Sequence, residues 1–274
     1  NGKIDAFLDI GNGVTRLSRG GTGAESPMGA ASLAVSANGQ FVVFRLEIDV
    51  DVALSDDWND IYRLNRNNGT LLKVADSAQL PFGYEPQLAI SDDGRFVAYT
   101  ALDIGDNHVF RFDAQTAATV QVDVDLGVAG QFGDAEHIAM DASGNLIAFD
   151  SDEADLVASD SNGVRDVFVR DINAGTTTRV SKRGNGAQAN DSSELSDLSD
   201  DGAFVLFSSP ATNLDIQVTD LNGKRDVFRH NLGNGNTRRA SLDENGAEFA
   251  YDTIDGGLSG DGQFVWLISY RNNN

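Results

Sequence analysis

Short apolar runs with alternating polar positions recur along the whole chain, separated by clusters of Gly, Asn and Asp. A period of two with β-branched and aromatic residues predicts strands, and no window carries a convincing 3.6-residue apolar period, so helices should be scarce. One string recurs five times: Ser or Asp, two residues, Gly, one residue, then an apolar run. The copies are SANGQFVVF from Ser36, SDDGRFVAY from Ser91, DASGNLIAF from Asp141, SDDGAFVLF from Ser199 and SGDGQFVWL from Ser259. A second string follows each of the first four copies: DIYRLN from Asp60, HVFRFD from His108, DVFVRD from Asp166 and DVFRHN from Asp226. Its fifth copy is displaced to the beginning of the chain, as DAFLDI from Asp5.

Each unit of 50–60 residues reads as four short strands. In the third, they fall at about 138–141, 145–150, 166–171 and 177–181. The Asp-Gly and Ser-Gly pairs between the first two strands are tight-turn signals, because Gly tolerates positive φ. Four-stranded units repeated at this spacing predict a β-propeller, whose blades stack radially and hide their edges. The fold expected is therefore all-β: a five-bladed β-propeller of four-stranded antiparallel blades, forming a single domain over residues 1–274. The blades would span about 32–76, 87–124, 138–181 and 195–241. The fifth would be built from 256–274 plus 1–18, so that N- and C-terminal strands share one blade and close the ring. The register makes Phe44, Tyr99, Phe149 and Phe207 core residues, together with Phe7, Tyr62, Phe110, Phe168 and Phe228. Trp266, inside a strand string, also reads as core, whereas Trp58 in an acidic loop reads as exposed.

SDDGRFVAY (Ser91 to Tyr99), NGVRDVFVRD (Asn162 to Asp171) and GTTTRVS (Gly175 to Ser181) resemble the WD40-like repeats of the TolB type, the PD40 repeats. The resemblance extends over essentially the whole chain. It implies a propeller serving as a periplasmic scaffold, a binding module or an accessory domain of an enzyme; fold does not settle which.

Two repeated loops are candidates for chemistry. Asp160, Asn162 and Asp166 bracket an Asn-Gly pair in the third unit, as Asp220, Asn222 and Asp226 do in the fourth; Asn1-Gly2 and Asp5 supply a truncated copy. Alternating oxygen ligands around a sharp glycine turn resemble the first part of a calcium loop, although no Glu stands at the twelfth position. The competing reading is a plain turn in which the carboxylates accept backbone N–H bonds. The other recurring feature is Gly-x-Glu/Gln in the loops leading to each inner strand. It offers Glu25, Glu85, Gln188 and Glu248, with Asp134 and Glu136 after Gly133 in the second-blade loop. In a propeller these loops crowd one face of the central channel. A carboxylate ring there would hold a cation or attract a basic partner, unless the motif is only copied turn chemistry. Phe82, Tyr84, Phe132, Phe249 and Tyr251 share these loops and would give a surface for a protein or glycan ligand, or else plug the channel.

Composition narrows the function. Against 42 Asp and Glu stand 20 Lys and Arg, a net charge of −22, which argues against nucleic acid and against anionic membrane surfaces. No apolar run is long enough to insert in a membrane as a helix, and cysteine is absent, so no disulfide or thiolate site exists. The chain opens at Asn1 rather than Met, which suggests a processed or trimmed product. There is no G-x-S-x-G elbow, Walker loop or H-E-x-x-H motif, and His108, His137 and His230 occupy non-equivalent repeat positions. The expectation is a non-catalytic, extracellular or periplasmic propeller that engages a protein or glycan through channel-face loops. Calcium is the one cofactor expected, with no organic cofactor, and nothing in the pattern speaks to oligomeric state. Alternatives are a carbohydrate-active enzyme, hydrolase or lyase, using the channel-face carboxylates, and a structural subunit of a cell-surface assembly.

Overall fold

A computed structural model describes residues 7–9, 14–16, 30–46, 60–76, 80, 85–103, 106–127 and 134–270. Contacts divide the chain into two compact units, 1–120 and 121–274. Every regular element among the described residues is a strand.

In the first unit, β1 (Phe7–Asp9) and β2 (Val14–Arg16) form a two-stranded sheet. A four-stranded antiparallel sheet follows, from β3 (Ala30–Val35), β4 (Phe41–Leu46), β5 (Ile61–Asn65) and β6 (Thr70–Ala75). The next comprises β7 (Leu88–Ile90), β8 (Phe96–Asp103), β9 (Asp106–Asp113) and β10 (Ala118–Gln121). The second unit holds β11 (Ala135–Met140), β12 (Leu146–Ser151), β13 (Asp166–Asp171) and β14 (Thr176–Arg179) in one sheet. Another joins β15 (Glu194–Leu198), β16 (Phe204–Ser209), β17 (Asp226–Asn231) and β18 (Thr237–Arg239); β19 (Thr253–Leu258) and β20 (Val265–Ser269) make a two-stranded sheet. Strands pair in chain order within every sheet, so the repeat read from the sequence is a repeat of meanders.

Three interactions explain why these residues form this unit. First, the string before the second strand closes a tight turn by a side-chain bond. Ser91 Oγ donates to Asp93 Oδ1 at 2.7 Å and accepts from Phe96 N at 2.9 Å. Ser199 and Asp201 do the same at 2.7 Å, and Ser259 with Asp261 at 2.6 Å. In the β11–β14 sheet the partners are exchanged: Ser143 Oγ donates to Asp141 Oδ2 at 2.6 Å. Second, the turn glycine serves packing as well as backbone geometry. Gly94 has φ 71°, and a Cβ there would stand 2.1 Å from the ring of Phe41 in the preceding sheet. Arg63 lies over that ring, 3.7 Å from its centroid, and donates to Gly94 O at 2.5 Å. Phe204, Gly262 and Arg229 repeat the arrangement in the second unit, with Arg229 donating to Gly262 O at 2.8 Å. At these two junctions neighbouring sheets meet through an aromatic ring in contact with both a turn glycine and an arginine, whereas at Gly202 the neighbour is Leu146.

Third, aromatic side chains of the second and third strands meet across the ladder. Tyr99 stacks on Phe110 at 5.6 Å between centroids, Phe149 on Phe168 at 5.7 Å and Phe207 on Phe228 at 5.8 Å. These rings, with Phe44 and Tyr62, are buried as expected; the side chain of Phe7, like Trp58, lies outside the described residues. Burying such a ring is worth about 2–3 kcal/mol. Trp266 corrects the sequence reading: it is 57% exposed rather than core. It lies on β20, the last strand of a two-stranded sheet, where a side chain lacks the cover that a complete four-stranded sheet provides.

Candidate functional site

The Asn-Gly loops are built around buried ion pairs. Asp166 opens β13 and is fully buried; its Oδ1 accepts from Ser181 Oγ and its Oδ2 from Asn162 Nδ2 at 2.8 Å. Arg179, at the end of β14, reaches Asp160 at 2.8 Å and Asp166 at 3.4 Å. In the next sheet Ser241 Oγ donates to Asp226 Oδ1 at 2.6 Å, and Arg239 bridges Asp226 at 3.2 Å and also meets Glu248. Asp220 Oδ1 accepts from Asn222 N at 3.1 Å and Gly223 N at 3.0 Å, while Asn222 Nδ2 donates to Phe249 O at 2.9 Å. In the first unit Lys73 holds Asp60 at 2.7 Å. Asp160, Asn162 and Asp166 thus share one hydrogen-bonded loop, and Asp220, Asn222 and Asp226 another. A basic side chain from the fourth strand stands among these carboxylates. Burial pushes the carboxyls of Asp166 and Asp226 above the usual range, against the pull of those hydrogen bonds and arginines.

Of the channel-face candidates, Glu25, Phe82, Tyr84 and Phe132 lie outside the described residues. Glu85 accepts from the buried Arg45 at 2.8 Å and from Ser32 at 3.4 Å. Glu136 pairs with Arg165 at 3.1 Å, and the same arginine bonds Asp134 O and Asp150 Oδ1, each at 2.9 Å. Asp134 N in turn donates to Asp152. Glu248 meets Arg239 and accepts from Leu221 N at 3.0 Å. Glu194, one strand further than the sequence motif pointed, pairs with Arg225 at 3.1 Å. Phe249 is half-buried and Tyr251 exposed. Sequence reasoning found the acids and missed the arginines Arg45, Arg165, Arg225 and Arg239. For two of them a signal was available, the recurrence of arginine one residue before a strand, as Arg165 before Asp166 and Arg225 before Asp226; Arg45 and Arg239 lie within strands.

At the centre of the Arg165 cluster Asp150 is fully buried, accepting from His137 Nδ1 and Leu195 N at 2.8 Å each. Desolvation opposes its charge, but these bonds and the nearby cations outweigh it and hold its carboxyl below the usual range. The bond to Asp150 raises His137, opposed by partial burial. His230 is buried with its Nδ1 2.9 Å from Thr237 Oγ1, and desolvation, helped by Lys182, lowers it to about 4. A third acidic group comprises Asp125, Glu153 and Asp155, whose ligand atoms lie within 4.8 Å of one another; Asp220, Asp226 and Glu248 form a comparable set.

No protein-family model matches the sequence, and no curated protein matches it. Solved structures do. A putative TolB from Agrobacterium tumefaciens is 16% identical, with a TM-score of 0.54 over 96% of this chain and 75% of that one. TolB from Acinetobacter baumannii gives 16%, 0.53, 96% and 53%. A prolyl endopeptidase structure is 12% identical with a TM-score of 0.53, over 84% of this chain but 31% of its own length. At these identities the likeness is one of fold: all-β, built from the antiparallel sheets of TolB-like propellers. No helix among the described residues is long and apolar enough to cross a membrane.

Proposed function

We propose that this chain is a non-catalytic, extracellular or periplasmic propeller module that binds a protein partner through the loops bearing Glu85, Asp134, Glu136, Glu248, Phe249 and Tyr251. The observation that carries this reading is the pairing of Glu85 with Arg45, Glu136 with Arg165 and Glu248 with Arg239. An acid–base pair for glycoside cleavage needs one carboxyl kept protonated and one free to attack or to activate water. Carboxylates paired with arginine are held in place and oriented, which suits recognition of a basic or hydrogen-bonding surface. A TolB-like fold is consistent with such a partner.

In this reading the ring has five blades in one domain, and residues 1–18 complete the blade begun by β19 and β20. Support comes from the strand count of two in that sheet, where four others have four, and from the exposed Trp266 and Phe264. Calcium at the Asn-Gly loops is the lesser element of the proposal, because Arg179 and Arg239 already supply positive charge there. A glycan ligand is the second choice for the same surface, favoured by the exposed Tyr251 beside Glu248.

The test is a turnover screen against polysaccharides and peptides, run beside binding to a glycan array and to immobilised basic peptides, with wild type and Glu85→Gln. Binding without product supports a module. Product formation abolished by Glu85→Gln would overturn it.

A further inference from the structure

We infer that Asp125, Glu153 and Asp155 form a calcium site, distinct from the Asn-Gly loops, which fastens the loop after β10 to the loop after β12. Asp123, Asp125, Glu153 and Asp155 all belong to the second compact unit. The carboxylates of Asp125, Glu153 and Asp155 come within 4.8 Å of one another. Glu153 is only 5% exposed, and its Oε2 has no hydrogen-bond partner among the described residues. A buried carboxylate oxygen in that condition costs several kcal/mol unless a ligand meets it. Burial first, then Asp155, Asp123 and Asp125, push its carboxyl up to about 8.

The neighbouring repeat shows what these positions look like without the extra acids. Counting from the core rings Phe149 and Phe207, Glu153 stands where the next sheet has Ala211, and Asp155 where it has Asn213. Leu156 and Leu214, one residue further, are both buried, which fixes the alignment. Asn213 fastens its loop with its amide alone: Nδ2 donates to Gln188 O at 2.8 Å and Oδ1 accepts from Asn190 N at 3.1 Å. An aspartate cannot donate to a carbonyl, so Asp155 cannot repeat that fastening by itself. A cation attracts carboxylates and carbonyls alike and restores it.

The backbone is already folded over the site. Leu126 N donates to Asp155 O at 3.0 Å, and Gly127 N donates to Asp125 Oδ1 at 2.8 Å. Residues 112–164 contain no Lys or Arg, so the chain around the cluster brings no counterpart of Arg179. Three carboxylates in irregular loops, with backbone carbonyls and water to complete the shell, match the oxygen-only, flexible coordination of Ca²⁺ better than the strict octahedron of Mg²⁺.

The experiment is calorimetric titration of the metal-free full chain with CaCl₂ and with MgCl₂, together with melting curves in calcium and in EDTA. The variants are Glu153→Ala with Asp155→Asn, which reproduce the sequence of the next sheet, and Glu153→Gln alone. Wild type should bind calcium in preference to magnesium and melt higher in calcium than in EDTA. The double variant should lose one binding event or weaken it about a hundredfold. Its gain in melting temperature from EDTA to calcium should also be smaller than that of wild type, with its circular dichroism unchanged. Calcium binding of equal stoichiometry and affinity in wild type and double variant overturns the site, as does a wild type that takes up no calcium. Calcium bound at the Asn-Gly loops would persist in the double variant, so the difference between the two proteins isolates this site.

Discussion

Two acidic clusters in the second compact unit are alike in residue type and differ in the cations that the sequence around them supplies. Asp160 and Asp166 are buried around Arg179, which the fourth strand of their own sheet delivers at 2.8 Å and 3.4 Å. Asp125, Glu153 and Asp155 gather where the surrounding sequence offers no basic residue. The Asn-Gly spacing of the first cluster made it the natural candidate for calcium, yet an arginine already stands in it. The difference teaches that a metal site is recognised less by a run of oxygen donors than by whether the fold provides a cation of its own.

The largest effect expected from breaking this contrast is at Arg179. Arg179→Met leaves Asp160 and Asp166 buried and uncompensated, and should cost about 3–5 kcal/mol in urea unfolding. A loss under about 1 kcal/mol would mean that the pair is already solvated in the folded protein. A buried histidine extends the contrast to a base without an acid. His230 is lowered to about 4 in the folded chain, below its ordinary 6.5, so at pH 5 the unfolded chain binds the extra proton. Stability should therefore fall as pH drops below about 6.5, by about 2 kcal/mol at pH 5. His230→Asn should flatten that part of the profile; equal pH slopes for the two proteins would contradict the assignment. His137 has the opposite sign: the bond to Asp150 raises it, so its contribution is present at low pH and lost as pH rises through its folded value.

Next comes the calcium cluster itself. In EDTA, Glu153→Ala with Asp155→Asn should stabilise the chain by about 1–3 kcal/mol, because it removes the buried Glu153 carboxyl, whose Oε2 has no hydrogen-bond partner among the described residues. A destabilised variant in EDTA would show that these acids are satisfied within the protein. The smallest effect belongs to the turns. Ser199→Asp alone should cost about 1 kcal/mol, and adding Asp201→Ser should recover most of it, as a double-mutant cycle would show.

Much of the fold was legible because it is written several times. Strand positions, the buried aromatic pairs and the turn glycines each recur in register, and a repeat averages away local ambiguity. The four-stranded sheets run over 30–75, 88–121, 135–179 and 194–239. Trp266 was misread because its string matches the core strings of other blades, while its burial depends on what covers β20. The site was legible only in its acids. Glu85, Glu136, Glu248 and Asp166 were visible as motif members, but their arginine partners come from other strands or loops, and spacing along one segment does not encode that pairing. Glu153 escaped for the complementary reason: it departs from the repeat, and a search for what recurs passes over what is inserted once.

The exchange of Asp141 and Ser143 in the third turn bears on how such chains diverge. Hydroxyl and carboxylate have traded places there, yet the bond between them persists at 2.6 Å, close to the 2.7 Å of Ser199 with Asp201. What is inherited from blade to blade is a contact, and either end can carry either group. A column-by-column tally scores this turn as two differences, whereas the fold registers none. A turn can thus change its residues and still close, so a shared architecture at 16% identity needs no shared residues at these positions.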